Sequence, residues 1–132
     1  MRIYFKTHSR ADRYLSRCKK TILEYMPEVD RDKYRTQRTR NAFCSGLGYT
    51  SYDDLRKTIS QNLEAARDLP DVESVREATI MGFTQAIRII QPVCSIPLDS
   101  PQLPSQLAEA VVSFLSERGD LRSSSASESE MP

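Results

Sequence analysis

The sequence predicts an all-α protein, a compact bundle of four to five helices with an HTH-like hairpin, a short N-terminal arm or strand and a disordered C-terminal tail. Three observations point to it. Apolar residues recur at three- and four-residue spacing in four separate stretches, the period of a helix that buries one stripe. Helix-ending signals, Pro27, Gly46, Gly48, Pro92 and Gly119, fall where those stretches stop. Only residues 2–7 alternate apolar with polar as a strand would. The chain has 132 residues, 39% of them hydrophobic and 28% charged. That is the makeup of one globular domain, able to bury roughly 65–70% of its unfolded surface.

Taken in order, residues 2–7 place Ile3 and Phe5 between polar neighbours. A lone strand has no partner in this chain, so the segment reads as an arm, or as a strand that pairs only within an oligomer. Ser9 begins the first helix in a Ser9-x-x-Asp12 capping box. Ala11, Tyr14, Leu15, Cys18, Ile22, Tyr25 and Met26 form its stripe, Arg10, Arg13, Arg17 and Lys20 its outer face, and Pro27 stops it. The second helix, residues 30–47, is poorly amphipathic. Arg31, Arg35 and Arg38 share one face, Lys33 and Arg40 another, and Tyr34 is the one large apolar-bodied residue between 31 and 40. Ala42, Phe43, Cys44 and Leu47 return it to the core, and Gly46 or Gly48 takes the left-handed position that ends it.

Ser51-x-x-Asp54 caps the third helix, with Tyr52, Leu55, Ile59, Leu63 and Ala66 as its stripe. Pro70 and Asp71 open the fourth, whose Val72, Val75, Thr79, Phe83, Ala86, Ile87 and Ile90 predict the most buried element. Four prolines in residues 91–104 predict an extended connector packed through Val93, Ile96 and Leu98. The fifth helix, residues 104–118, carries Leu103, Leu107, Ala110, Val111, Phe114 and Leu115 on one side. Residues 1–121 then form a single helical domain. The serine-rich, acidic residues 122–132 hold too little apolar surface to fold and are expected to be disordered.

The net charge of +1 conceals a division. Residues 1–57 hold 14 Lys+Arg and 7 Asp+Glu, a balance of +7, while residues 58–132 hold 5 and 11, a balance of −6. All six tyrosines lie in the first 52 residues with 12 of the 19 basic ones. Cations beside aromatics attract phosphates and stack on bases. The contact residues this predicts are Arg2, Lys6 and Arg10 in the arm, Arg31, Lys33, Arg35, Arg38 and Arg40 in the second helix, with Tyr34 and Tyr49.

Other chemistry finds little footing. Three widely spaced cysteines and a single histidine predict neither a disulfide framework nor a metal site, and no cofactor motif is present. The Gly46/Gly48 loop lacks the GxxxxGK[ST] phosphate cradle. His8 and Cys18 are the one conceivable nucleophile pair, but Cys18 stands on an apolar stripe. Without an apolar leader or a spanning segment, the chain reads as cytoplasmic and non-enzymatic, with no membrane partner.

The stretch Asn41-Ala42-Phe43-Cys44-Ser45-Gly46-Leu47-Gly48-Tyr49-Thr50-Ser51 followed by Leu55-Arg56-Lys57 spaces a small residue, a glycine and a core leucine as a helix-turn-helix does. Over about residues 9–60 it resembles the helix-turn-helix segments of arabinose-regulator-type activators. It is also similar to the short N-terminal helical module of bacterial glyoxalase-superfamily-labelled proteins. The resemblance implies a helical hairpin and carries no activity. Asp53 and Asp54, in the first turn of what would be the recognition helix, oppose phosphate and base edges there. The expected function is non-enzymatic binding, with nucleic acid the leading partner through phosphate neutralisation. The alternative is a small adaptor or inhibitor, of the kind mobile elements encode, that docks an acidic protein. The charge division also allows head-to-tail homo-oligomers.

Overall fold

A computed structural model describes residues 2–61 and 69–122 of the chain. Among them are six α-helices: α1 His8–Leu23, α2 Glu28–Arg31, α3 Thr36–Gly46, α4 Tyr52–Gln61, α5 Val72–Ile90 and α6 Leu103–Glu117. A 3₁₀ turn, Gln91–Val93, follows α5. The all-α architecture is as expected. Leu63, Ala66 and the tail from residue 123 lie outside the described residues.

The starts of α1, α4 and α5 and the end of α3 have identifiable causes. Thr7, in extended backbone, caps α1 by accepting from the Arg10 N–H at 3.1 Å, so the cap lies two residues before the expected Ser9. Asp71 caps α5 through the Glu73 and Ser74 N–H groups, leaving Pro70 ahead of the cap instead of inside the first turn. Ser51 and Asp54 do form the expected reciprocal cap of α4. Ser51 Oγ accepts from the Asp54 N–H, and the Asp54 carboxylate accepts from the Thr50 N–H at 3.0 Å. Gly48, at φ +99°, takes the left-handed turn after α3.

The expected single helix over residues 30–47 is two, and long-range contacts explain the break. Asp30 is buried and accepts from the Ser95 N–H and hydroxyl, both at 2.8 Å, which pins α2 to the proline-rich connector. Arg31 turns back to the end of α1, and the link at residues 32–35 leads into α3 with Tyr34 facing α1.

α3 crosses α5, α5 lies along α6, and α1 packs on α6 and α3. The α3–α5 crossing is close because Gly46 lies against the α5 backbone at Ala78 and Gly82. Phe43 and Phe83 meet there edge to face, ring centroids 5.1 Å apart, adding about 1 kcal/mol to the burial of the rings. Tyr14 is fully buried, its hydroxyl 2.8 Å from that of Thr79 on α5. The N-terminal segment is neither a free arm nor a strand. Ile3 donates its N–H to the Leu47 carbonyl at 2.9 Å, and Ile3 and Phe5 belong to the core. On α6, Ala108 and Val112 are buried while the expected Ala110 is exposed. Arg122 is paired with the chain at Pro70 and Val72, so the ordered chain reaches that residue, one position past the expected boundary.

Candidate nucleic-acid interface

Long side chains reach whichever acceptor the fold brings near, and four predicted contact residues are engaged internally. Arg2 lies over the Tyr49 ring at 4.9 Å, donates to the Gly48 carbonyl at 3.1 Å and pairs with Asp54 at 3.3 Å. Arg10 donates to Asp120 Oδ1 at 2.9 Å and to the Gly119 carbonyl. Arg13 grips both oxygens of the same carboxylate, which is only 2% exposed. Arg31 Nε donates to the Leu23 and Met26 carbonyls at 3.1 and 3.2 Å, closing the C-terminal end of α1. Tyr49 is buried, and its hydroxyl donates to the Ile3 carbonyl at 2.8 Å. Arg2, Arg10 and Arg31 therefore hold elements together, and Tyr49 belongs to the core.

Lys6, Lys33, Arg35 and Arg38 are exposed and pair with no acid among the described residues. They do not form the expected stripe. The break between α2 and α3 separates Arg31 from Arg35, and Arg38 points outward on α3 while Lys33 and Arg35 occupy the link. Asp120 is the one acid of residues 58–122 that pairs with a cation of residues 2–57 among the described ion pairs. The other described ion pairs each stay within one half of the chain, as Arg2 with Asp54 and Arg76 with Glu73 and Glu109.

Arg40 and Tyr34 meet in a cleft of about 280 Å³ between α1 and α3. On α3 the residues Thr36, Thr39, Arg40 and Phe43, at helical spacing, face Leu15, Ser16 and Lys19 of α1. The Arg40 guanidinium lies 4.0 Å from the centre of the Tyr52 ring, yet its Nε is buried with no hydrogen-bond partner. The Tyr34 hydroxyl is likewise buried, beside the Thr39 hydroxyl. The neighbouring Thr39 hydroxyl donates to the Arg35 and Thr36 carbonyls. Burial pushes the Tyr34 phenol up to about 12, with Thr39 pulling it down and the Cys18 thiol adding to the rise, so it keeps its proton at neutral pH. A second recess of about 440 Å³ shares Ser16 and Lys19 with the cleft and adds Lys20, Leu23, Glu24 and Arg31. The two recesses adjoin along α1, and their linings hold Lys19, Lys20, Arg31 and Arg40 with the acids Asp12 and Glu24.

On α4, Asp53 is exposed, while Asp54 bends back along the surface to accept from the Thr50 N–H and pair with Arg2. The Thr50 N–H above all, with Arg2 and Lys57, holds the Asp54 carboxyl below its ordinary value. Tyr52 donates to Asp12 at 2.8 Å and Arg56 pairs with Asp12 at 3.6 Å, tying α4 to α1. Lys19 and Tyr52 are functional candidates that sequence reading missed. Asp12, Leu15, Ser16 and Lys19, spaced 3, 1 and 3 residues apart, were the available signal of a second seam beside the core stripe.

His8 Nε2 lies 3.0 Å from Ser60 Oγ, while Cys18 is buried and its thiol is pushed well up by burial, so the two form no nucleophile pair. Among the described residues no group of His, Cys, Asp and Glu could hold a metal ion, and no helix is long and apolar enough to cross a membrane. Comparison with known protein families, with curated proteins and with solved structures finds no match to this chain.

Proposed function

We propose that this chain binds nucleic acid, a single strand in preference to a duplex, and performs no catalysis. One observation carries the reading. Lys33 and Arg35, exposed and without acidic partners among the described residues, stand on the link that supplies Tyr34 to a cleft lined by Lys19, Arg40 and Asp12 with the rings of Tyr34, Phe43 and Tyr52. Such a cleft suits a strand whose phosphates follow the cations and whose bases lie against rings. The α4 surface suits a duplex less, because Asp53 is exposed at its first turn where phosphate would approach. The test is binding of random-sequence single strands and duplexes across a salt series, with a Lys33/Arg35/Arg38→Ala variant beside the native chain. A steep salt slope that flattens in the variant supports the reading; a native chain that binds neither form at low salt defeats it.

A second reading, an adaptor that docks an acidic protein on the same cations, is favoured by a separate feature. An apolar cleft of about 590 Å³, lined by Ile87, Pro92, Leu98 and Pro104, opens between the end of α5 and the start of α6. Binding insensitive to nucleic acid and lost on Pro92→Asp, at an exposed residue of that cleft, would favour that reading.

A further inference from the structure

From the exposed face of α5 we infer an interface for a second copy of this chain, two α5 helices packed antiparallel about a two-fold axis. Four residues carry it. Glu77, Met81, Thr84 and Arg88 follow one another at steps of four, three and four, so they share one face of the helix. Gly82, Phe83 and Ala86, on the other side, are buried. Met81 is 55% exposed, one of three large apolar side chains left so open among the described residues. Its flexible thioether adapts to the shape that meets it and is favoured at such surfaces. The Thr84 hydroxyl donates to the Ile80 carbonyl at 2.8 Å, so packing against Thr84 strands no donor.

The charges at the two ends of this stripe select the occupant. Of the charged side chains on α5, Arg76 pairs with Glu73 and with Glu109 of α6. Glu77 and Arg88 are exposed and pair with nothing among the described residues, although Asp99 borders the same cleft as Arg88. Within one chain the two stand about 16 Å apart along the helix axis, too far to meet. A two-fold axis midway between Met81 and Thr84 reverses the second helix and brings them together. It sets Glu77 against the partner's Arg88, Arg88 against the partner's Glu77, and Met81 against the partner's Thr84, each contact made twice. An unlike protein would need the same two charges at the same spacing; a second copy has them by identity. Charge also fixes direction, since a parallel pair would place Glu77 on Glu77 and Arg88 on Arg88. One helix face offers less than the roughly 800 Å² a side of a standard interface, so the dimer should form and dissociate with concentration.

Analytical ultracentrifugation of the full chain tests this, at concentrations up to about 1 mM so that weak pairing registers. The chains compared are native, Glu77→Lys, Arg88→Glu and Met81→Asp. All three substitutions fall on exposed positions, and circular dichroism checks that each variant folds. The native chain is expected to approach twice the mass of one copy as concentration rises. Either charge variant alone sets like charges against each other at both ends of the stripe and should weaken the dimer about tenfold or more. Mixed in equal amounts, the two charge variants recover both opposite-charge pairs, so the mixture should dimerise where neither does alone. Met81→Asp should weaken the native dimer by a similar factor. A native chain that keeps the mass of one copy throughout overturns the interface. So does a dimer that the three variants leave intact, or a mixture of the charge variants that stays monomeric. A dimer lost in Lys33/Arg35/Arg38→Ala but kept in the α5 variants overturns it as well, in favour of head-to-tail pairing of the charge halves. Nucleic acid is absent throughout, so the outcome bears on the interface alone.

Discussion

Replacing Gly46 by alanine tests the central crossing of the bundle directly. A Cβ at this position would lie 2.5 Å from the Ala78 carbonyl oxygen, 2.8 Å from the Gly82 nitrogen and 3.0 Å from Gly82 Cα. All three are backbone atoms of α5, so no side chain can rotate away. α5 would have to retreat by 0.5 Å for the nearest contact to reach 3.0 Å, itself the lower limit of real Cβ contacts. Retreat loosens the Phe43–Phe83 contact and its surroundings, and overpacking of this kind costs about 1–3 kcal/mol or somewhat more. Alanine recovers part of that, at most about 1 kcal/mol, through its better helix propensity. The expected net loss is about 2 kcal/mol, a fall in Tm of roughly 6–10 °C for a domain of this size. Urea denaturation followed by far-ultraviolet circular dichroism measures it. Gly82→Ala is the internal control. Its Cβ would meet Phe43 Cα and a Phe43 ring carbon at 3.2 Å, a contact that a small ring movement partly relieves, so its loss should be smaller. A Gly46→Ala chain as stable as native, or more stable, would refute the close crossing.

Asp120→Asn should destabilise the fold by about 1–2 kcal/mol, because a buried carboxylate gripped by two arginines becomes a neutral amide, softened by the arginines being about one-third exposed. The same variant releases Arg10 and Arg13, so oligonucleotide affinity at low salt should rise, read by fluorescence anisotropy. For Asp54 the folded-state value lies below the unfolded one of about 3.8. Its contribution is thus present above that value and lost as pH falls through the folded one, and Asp54→Asn should flatten the acid limb of a stability–pH curve. Among the thiols, Cys94 is half-buried while Cys18 and Cys44 are fully buried, the Cys44 thiol pushed up to about 12 chiefly by burial. An aromatic disulfide reagent at pH 8 should therefore titrate Cys94 first, and the other two only as the chain unfolds; early loss of Cys44 would contradict the packing.

Elements set by local chemistry were legible in the sequence. The stripe of α1, the reciprocal Ser51/Asp54 cap, the turn at Gly48 and the broad apolar face of α5 each depend on residues a few positions apart. What distant contacts decide was not. Residues 30–35 have helical propensity, but Asp30 is held by Ser95, 65 positions away, and Arg31 by the end of α1. Gly46 was legible as a helix-ending glycine, whereas its role is to let two backbones approach. The candidate interface divided along the same line. Lys33, Arg35 and Arg38 are exposed, as a surface role requires, and stay candidates for contact. Arg2 and Arg10 found acceptors 52 and 110 residues away, which no local pattern discloses.

The Asp120 clamp also bears on the order in which the chain assembles. Arg10 and Asp120 enclose a loop of 110 residues, and closing so long a loop from the open chain costs about 4 kcal/mol of entropy beyond a constant. Two ion pairs cannot lead against that cost. The clamp becomes favourable only after α3, α5 and α6 have packed and shortened the path between its ends. It should therefore close after the rate-limiting step, governing how quickly the protein unfolds while leaving the folding rate nearly unchanged. A contact that ties two arginines to one carboxylate should thus also lengthen the lifetime of the native state.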